Sequence, residues 1–141
     1  MMVAFEFERL QVFQEARALR VRFYKLAKLL PQMEHKLATQ VRDAARSITN
    51  CLAEGHGRYT FKDRIHFCRM SRGSLLELVD DVNLCNDEKY AKPEHLETLR
   101  IDCAAFLKHL NGYTKYLREE ALKQDNLKRR KPQPSSDSSD P

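Results

Sequence analysis

The chain has 141 residues, of which 32% are charged and 42% hydrophobic, with 25 Lys plus Arg against 20 Asp plus Glu. That length suits one domain with its own core, and no apolar run approaches the length that crosses a bilayer. The formal charge of +5 permits polyanion binding without requiring it, and the opening MMVAFEFERL lacks the basic and apolar regions of a signal peptide, so a soluble, cytoplasmic protein without membrane partners is expected.

Four glycines and five prolines are few for this length, which favours long helices. The first predicted helix spans about 8–30. Its apolar stripe is Val12, Ala16, Leu19, Phe23, Leu26 and Leu30, steps of three and four that lie on one helical face. Pro31 stops it. The second spans about 34–53, with Leu37, Val41, Ala44, Ile48 and Cys51 as its seam. Glu54, Gly55 and Gly57 are assigned to the turn that follows, the glycines because glycine permits positive φ at a helix end.

The third helix opens at Thr60, an N-cap residue type, and runs to about Asp87 on Phe61, Ile65, Cys68, Leu75, Leu78 or Val79, and Val82. Ser71, Gly73 and Ser74 interrupt it. They either let a neighbouring helix approach or merely weaken the helix. The fourth begins near Pro93, a good first-turn residue, on Leu96, Leu99, Cys103, Phe106, Leu110, Tyr113 and Leu117. No segment alternates with period two, and the links are short, so consecutive helices should be antiparallel. The expected fold is all-α, an antiparallel up-down-up-down four-helix bundle over residues 1–122.

After Leu122 the chain turns basic, at Lys128-Arg129-Arg130-Lys131, and then rich in Pro, Ser and Asp. Residues 123–141 read as a disordered tail, either a solubilising extension or a basic arm. Phe5, Phe7, Phe13, Tyr24, Leu29, Leu76, Ile101 and Leu107 lie off the core stripes, more apolar surface than one bundle easily hides; a cluster of them would mark subunit contacts.

Cys51, Cys68, Cys85 and Cys103 form no C-x-x-C pair and no zinc spacing, so they read as small core residues rather than a disulfide or metal framework. Glu54, His56 and His66 share no spacing with a nucleophile, and Gly55-His56-Gly57 follows a helix rather than a strand, unlike a phosphate loop. No catalytic residue, metal or cofactor is expected. Basic residues show more pattern. Arg17, Lys25 and Lys28 point away from the first stripe, Arg42 and Arg46 lie one turn apart on the second helix, and Arg58, Lys62, Arg64, Arg69 and Arg72 crowd the start of the third. Cations at a helix start run against the macrodipole. They make either an anion site, joined by free backbone N–H groups and by aromatics interleaved in Arg58-Tyr59-Thr60-Phe61-Lys62, or a solvated charged face with local pairs such as Arg46–Asp43.

The segment 40–58, QVRDAARSITNCLAEGHGR, carries Arg42, Ala44, Ala45, Ser47, Ile48, Asn50, Ala53-Glu54-Gly55 and Gly57-Arg58. Arg72-Gly73-Ser74-Leu75-Leu76-Glu77-Leu78, the charged-aromatic opening from Phe7 to Phe13, and Leu110-Asn111-Gly112-Tyr113 complete the pattern. Together these resemble the four-helix-bundle proteins encoded in intervening sequences of bacterial large-subunit rRNA genes, from about Phe7 to Leu117. The chain departs from that pattern at Asp43, where a second basic residue is common, at Thr49, where proline is frequent, and at Arg72, where a small residue is usual. The family is similar to the accessory protein of diversity-generating retroelements, a basic barrel that binds nucleic acid and a reverse transcriptase.

The resemblance implies the bundle and a closed homo-oligomer, with a pentamer favoured. Joined to the basic faces, it leads to a non-enzymatic protein that binds RNA or DNA, RNA favoured, through Arg17, Arg42, Arg46, Arg58, Lys62 and Arg69. The alternative is a scaffold that oligomerises and docks a protein partner without nucleic acid.

Overall fold

A computed structural model describes residues 2–130. Four helices, α1 (Gln11–Leu29), α2 (His35–His56), α3 (Phe61–Asp87) and α4 (Pro93–Arg130), follow one another, with single 3₁₀ turns at Glu6–Arg9 and Gln32–Glu34. Among the described residues there is no strand. The stripes read from the sequence are the buried seams. Leu19, Phe23 and Leu26 of α1 meet Val41 and Ile48 of α2, Leu75 and Leu78 of α3, and Leu99, Phe106 and Leu110 of α4 in one core. Burying each such side chain contributes roughly 1.5–3 kcal/mol relative to exposure, so the seam rather than intrinsic propensity holds each helix in place.

Polar contacts give the direction of each neighbour. Arg20 of α1 donates to Thr49 of α2 at 3.1 Å. Ser71 donates to the Ile48 carbonyl at 3.0 Å, and Ser74 to Ser47 at 2.8 Å. Arg100 of α4 donates to Asn83 of α3, while further along Cys68 and Thr114 share a groove. Glu15 meets His109 at 2.6 Å and Arg22 meets Asp102 at 2.7 Å across α1 and α4. In the last three pairs of helices rising numbers on one helix face falling numbers on the other, and the short α1–α2 link imposes the same sense there. Neighbours are thus antiparallel, and α4 returns beside α1.

Three departures from the sequence expectation have clear causes. Glu54, Gly55 and His56 belong to α2 rather than to the turn. Gly57 caps it at φ −75, and no described glycine has positive φ. Gly55 is instead a point of close approach between α2 and α3. A Cβ there would stand 2.8 Å from Phe67 Cβ and 3.6 Å from Arg64 Cα, so glycine is required by packing, not by backbone conformation. The residue in the left-handed region is Lys89, at φ 58. It ends α3 in a Schellman arrangement, with Tyr90 N–H on the Cys85 carbonyl at 2.9 Å and Lys89 N–H on Asn86 at 3.2 Å.

The third departure is the length of α4. Expected to end near Leu122, it continues to Arg130, with residues 122–130 all exposed. An already nucleated helix propagates through good helix formers until a breaker intervenes, and the next one is Pro132. The rest of the expected tail, residues 131–141, lies outside the described residues.

Thr60 caps α3 as expected, accepting from the Asp63 N–H at 3.1 Å. In the α3 interruption the serines make the close contact with α2, whereas Gly73 has open space around it. Thr49 is buried, donating to the Arg46 carbonyl at 3.0 Å while accepting from Arg20. Of the surplus apolar residues, Phe13 is buried, Phe7, Tyr24 and Leu107 pack partly on the core, and Phe5, Leu29, Leu76 and Ile101 remain exposed.

Candidate nucleic-acid interface

Antiparallel packing brings the start of α1, the α2–α3 turn, the start of α3 and the far part of α4 to one end of the bundle. The charges divide accordingly. Arg58, Lys62, Arg64, Arg69 and Arg72 of the turn and early α3 share this end with Lys115 and Arg118 of α4. Glu77, Asp80, Asp81, Asp87 and Glu88 occupy the opposite half of α3. Glu54, Asp63, Glu119 and Glu120 also lie at the basic end, so the charge bias is one of excess rather than of exclusion.

Within the basic end, Arg69 and Arg72 of α3 face Asn111, Thr114 and Arg118 of α4 across a groove of about 520 Å³ whose floor includes Cys68. The three arginines line one groove because Arg69 and Arg72 are one helical turn apart, as are Asn111, Thr114 and Arg118 at steps of three and four. Among the described residues no carboxylate lies within ion-pair distance of any of the three. Unpaired guanidinium groups retain their forked donors for an incoming oxyanion, and Asn111 adds a neutral donor. Burial pushes the Cys68 thiol up to about 11, so it is a neutral floor residue at ordinary pH.

The six residues singled out from the sequence do not form one patch. Arg69 is in the groove. Lys62 lies exposed in the first turn of the same helix, two residues after its cap. Arg58 is engaged, paired to Glu54 at 2.8 Å and placed over the Phe67 ring at 5.1 Å. Arg42 donates to Thr39 at 3.3 Å, and Arg46 stands exposed on the outer face of α2, without the expected partner Asp43 among the described ion pairs. Arg17 is exposed on α1, a different wall of the bundle. Arg72, named in the basic cluster at the start of the third helix, was not among the six, and Arg118 was not considered; only the pairing of α3 with α4 places them on one groove.

The other chemistry-bearing residues stay apart. Glu54 braces the α2–α3 turn through Arg58. His56 is mostly buried with its Nε2 3.9 Å from Glu6 and its Nδ1 unpaired, and His66 packs edge-on against Phe67 at 5.6 Å. All four cysteines are free and buried, and burial raises Cys85 to about 11 and Cys103 to about 12. Among the described residues no group of His, Cys, Asp and Glu is placed to hold a metal ion, and no helix is long and apolar enough to cross a membrane.

The 23S rRNA-intervening sequence protein family matches the chain over residues 8–112, a span that holds α1, α2, α3 and the first half of α4. No curated protein matches it.

Proposed function

The chain belongs to the 23S rRNA-intervening sequence protein family, and from that premise we propose that it is a non-enzymatic bundle that binds RNA in the cytoplasm through its basic end. The observation carrying this reading is the groove lined by Arg69, Arg72 and Arg118, none of which has a carboxylate partner among the described residues. Contacts of this kind go to phosphate oxygens, so they position a nucleic acid without reading its sequence. Lys62 and Arg46 are peripheral contributors, and Arg17 belongs to a separate face. Self-association into a ring, five-membered by family resemblance, would multiply such sites and raise avidity.

The test is a titration of fluorescently labelled RNA at low salt, comparing the wild-type protein with an Arg69→Gln/Arg72→Gln/Arg118→Gln variant. All three side chains are exposed, so the variant should fold. Binding that weakens at least tenfold, with an unchanged circular-dichroism spectrum, supports the reading. Wild-type protein that binds neither RNA nor DNA refutes it. A second reading, a protein-docking scaffold, draws on exposed Leu29, Leu76 and Ile101, at 59%, 44% and 60% accessibility. A pulldown that recovers nucleic acid but no protein partner counts against it.

A further inference from the structure

Resting on the RNA-binding reading but not on the groove that carries it, we propose that the α1–α2 face is a second phosphate-binding surface, so that one chain holds two RNA segments on opposite sides. Two observations lead here. The first is where the charge lies. Residues 11–53 hold eight Lys and Arg against three Asp and Glu, the whole formal excess of +5. All three acids are turned off the α1–α2 face. Glu15 meets His109 of α4 at 2.6 Å. Glu34 stands near Cys85 and Tyr90, at the end of α3. Asp43 lies one turn before Ser47, the residue that bonds Ser74 of α3. The cations run the other way. Arg17, Arg20, Tyr24 and Lys28 recur at steps of three and four along the side of α1 that meets α2, as do Arg42, Arg46 and Thr49 along the facing side of α2. The Arg20–Thr49 bond sets the register, and antiparallel packing then puts Arg46 level with about residue 23 and Arg42 with about residue 27. The face therefore climbs from Arg17 through Arg20 and Arg46 to Arg42 and Lys28, about 16 Å along the helix. Exposed Val21 and half-buried Tyr24 are the larger apolar residues on it, and Glu6, 3.9 Å from His56, closes its end beyond Arg17. Among the described residues none of the five cations has a carboxylate within ion-pair distance.

The second observation is how two of these arginines are held. Thr49 is buried, and its hydroxyl both donates to the Arg46 carbonyl at 3.0 Å and accepts from Arg20 Nη1 at 3.1 Å. That one contact fixes the Arg20 guanidinium in the middle of the face and leaves its other N–H groups for an incoming oxyanion. Arg42 is steadied by the Thr39 hydroxyl at 3.3 Å. Neutral acceptors position these cations without cancelling their charge, which a carboxylate would do. Like charges gathered within about one Debye length repel one another in the free protein, and a phosphate backbone laid along them relieves that repulsion. The face is also distinct from the α3–α4 groove. Helix α1 packs on α2 and α4, and α3 packs on α2 and α4, so the two surfaces lie on opposite sides of the bundle, roughly 20 Å apart at one helix diameter each.

The experiment titrates the full chain at low salt with an unstructured RNA strand of about eight nucleotides, a length that one such surface engages, and reads strands bound per chain by calorimetry. Wild type is compared with the groove variant and with a face variant, Arg17→Gln/Lys28→Gln/Arg42→Gln/Arg46→Gln, which spares Arg20 and its bond to Thr49; an unchanged circular-dichroism spectrum confirms that each folds. The expected result is two strands per wild-type chain and one for either variant. Thr49→Val, which releases Arg20 at constant net charge, should weaken the site left in the groove variant severalfold; unchanged affinity there would overturn the positioning of Arg20. One strand per wild-type chain, lost in the groove variant and kept in the face variant, overturns the second surface and leaves the groove standing. One strand lost only in the face variant supports the face and overturns the groove. Vesicles of anionic lipid that retain wild type but not the face variant, when the face holds no RNA, would make it a membrane contact and overturn the proposal. Wild-type protein that binds no strand removes both surfaces.

Discussion

Replacing Gly55 with alanine sets two effects of opposite sign against each other. A helix-interior alanine is favoured over glycine by about 1 kcal/mol. Against that, the new methyl would sit 2.8 Å from Phe67 Cβ, where carbon atoms prefer about 3.5–4.0 Å. The obstructing atom is the root of the Phe67 side chain, so no rotamer change relieves the clash; α3 itself must move away by most of an ångström. Overpacking of this kind costs about 1–3 kcal/mol. The net expectation is a loss of about 1 kcal/mol, or about 4 °C in Tm for a domain of this size. The same substitution at Gly73, which has nothing within 4 Å, should raise Tm by a similar amount because only the propensity gain remains. Thermal melts followed by circular dichroism at 222 nm measure both. A Gly55→Ala variant as stable as wild type would show that the α2–α3 distance is not set by Gly55, and a Gly73→Ala variant that loses stability would contradict the open space around Gly73.

Burial, with Glu77 and Asp80 adding repulsion, raises the Asp81 carboxyl to about 6, and its Oδ2 is buried without a partner. A raised folded-state pKa means that the carboxylate opposes folding above about pH 6 and that the penalty disappears as pH falls toward the unfolded value near 3.8. Asp81→Asn should therefore stabilise the protein by about 1 kcal/mol at pH 8, a figure discounted for the half-exposed side chain. The difference from wild type should vanish near pH 4; urea melts showing a pH-independent difference would contradict this cause. Lys89→Gly removes the left-handed strain at the end of α3, which costs a non-glycine residue about 1–2 kcal/mol, and after glycine's own entropy cost should raise stability by about 0.5–1 kcal/mol. A lower Tm would refute the Schellman assignment. Thr60→Ala removes the cap on Asp63 N–H and should cost about 1 kcal/mol, read from the urea midpoint.

The bundle was legible because four stripes with steps of three and four each demanded one apolar partner, and Thr60 and Pro93 marked helix starts by chemistry that operates within a single turn. Where sequence reasoning failed, the missing information lay across the fold. Glycine near a helix end is compatible with either positive φ or close approach, and only the position of Phe67 decides for Gly55. Left-handed backbone fell to Lys89, where no glycine announced it. The far part of α4 read as tail because it buries nothing, yet it carries no breaker before Pro132 and inherits a helix already nucleated. In the candidate interface, Arg69 was visible as one basic residue among many. Its partner Arg118 is distant in sequence, and of the two aromatics interleaved with Arg58 and Lys62, Arg64 lies over Phe61 whereas Tyr59 is exposed.

The most direct measurement is the salt dependence of RNA affinity for wild-type protein and the Arg69→Gln/Arg72→Gln/Arg118→Gln variant. If three phosphates are neutralised in the α3–α4 groove, the wild-type log–log slope should be steeper than the variant's by about 2 to 3, at roughly 0.7–0.9 per phosphate. Equal slopes would place any bound nucleic acid elsewhere and contradict the account.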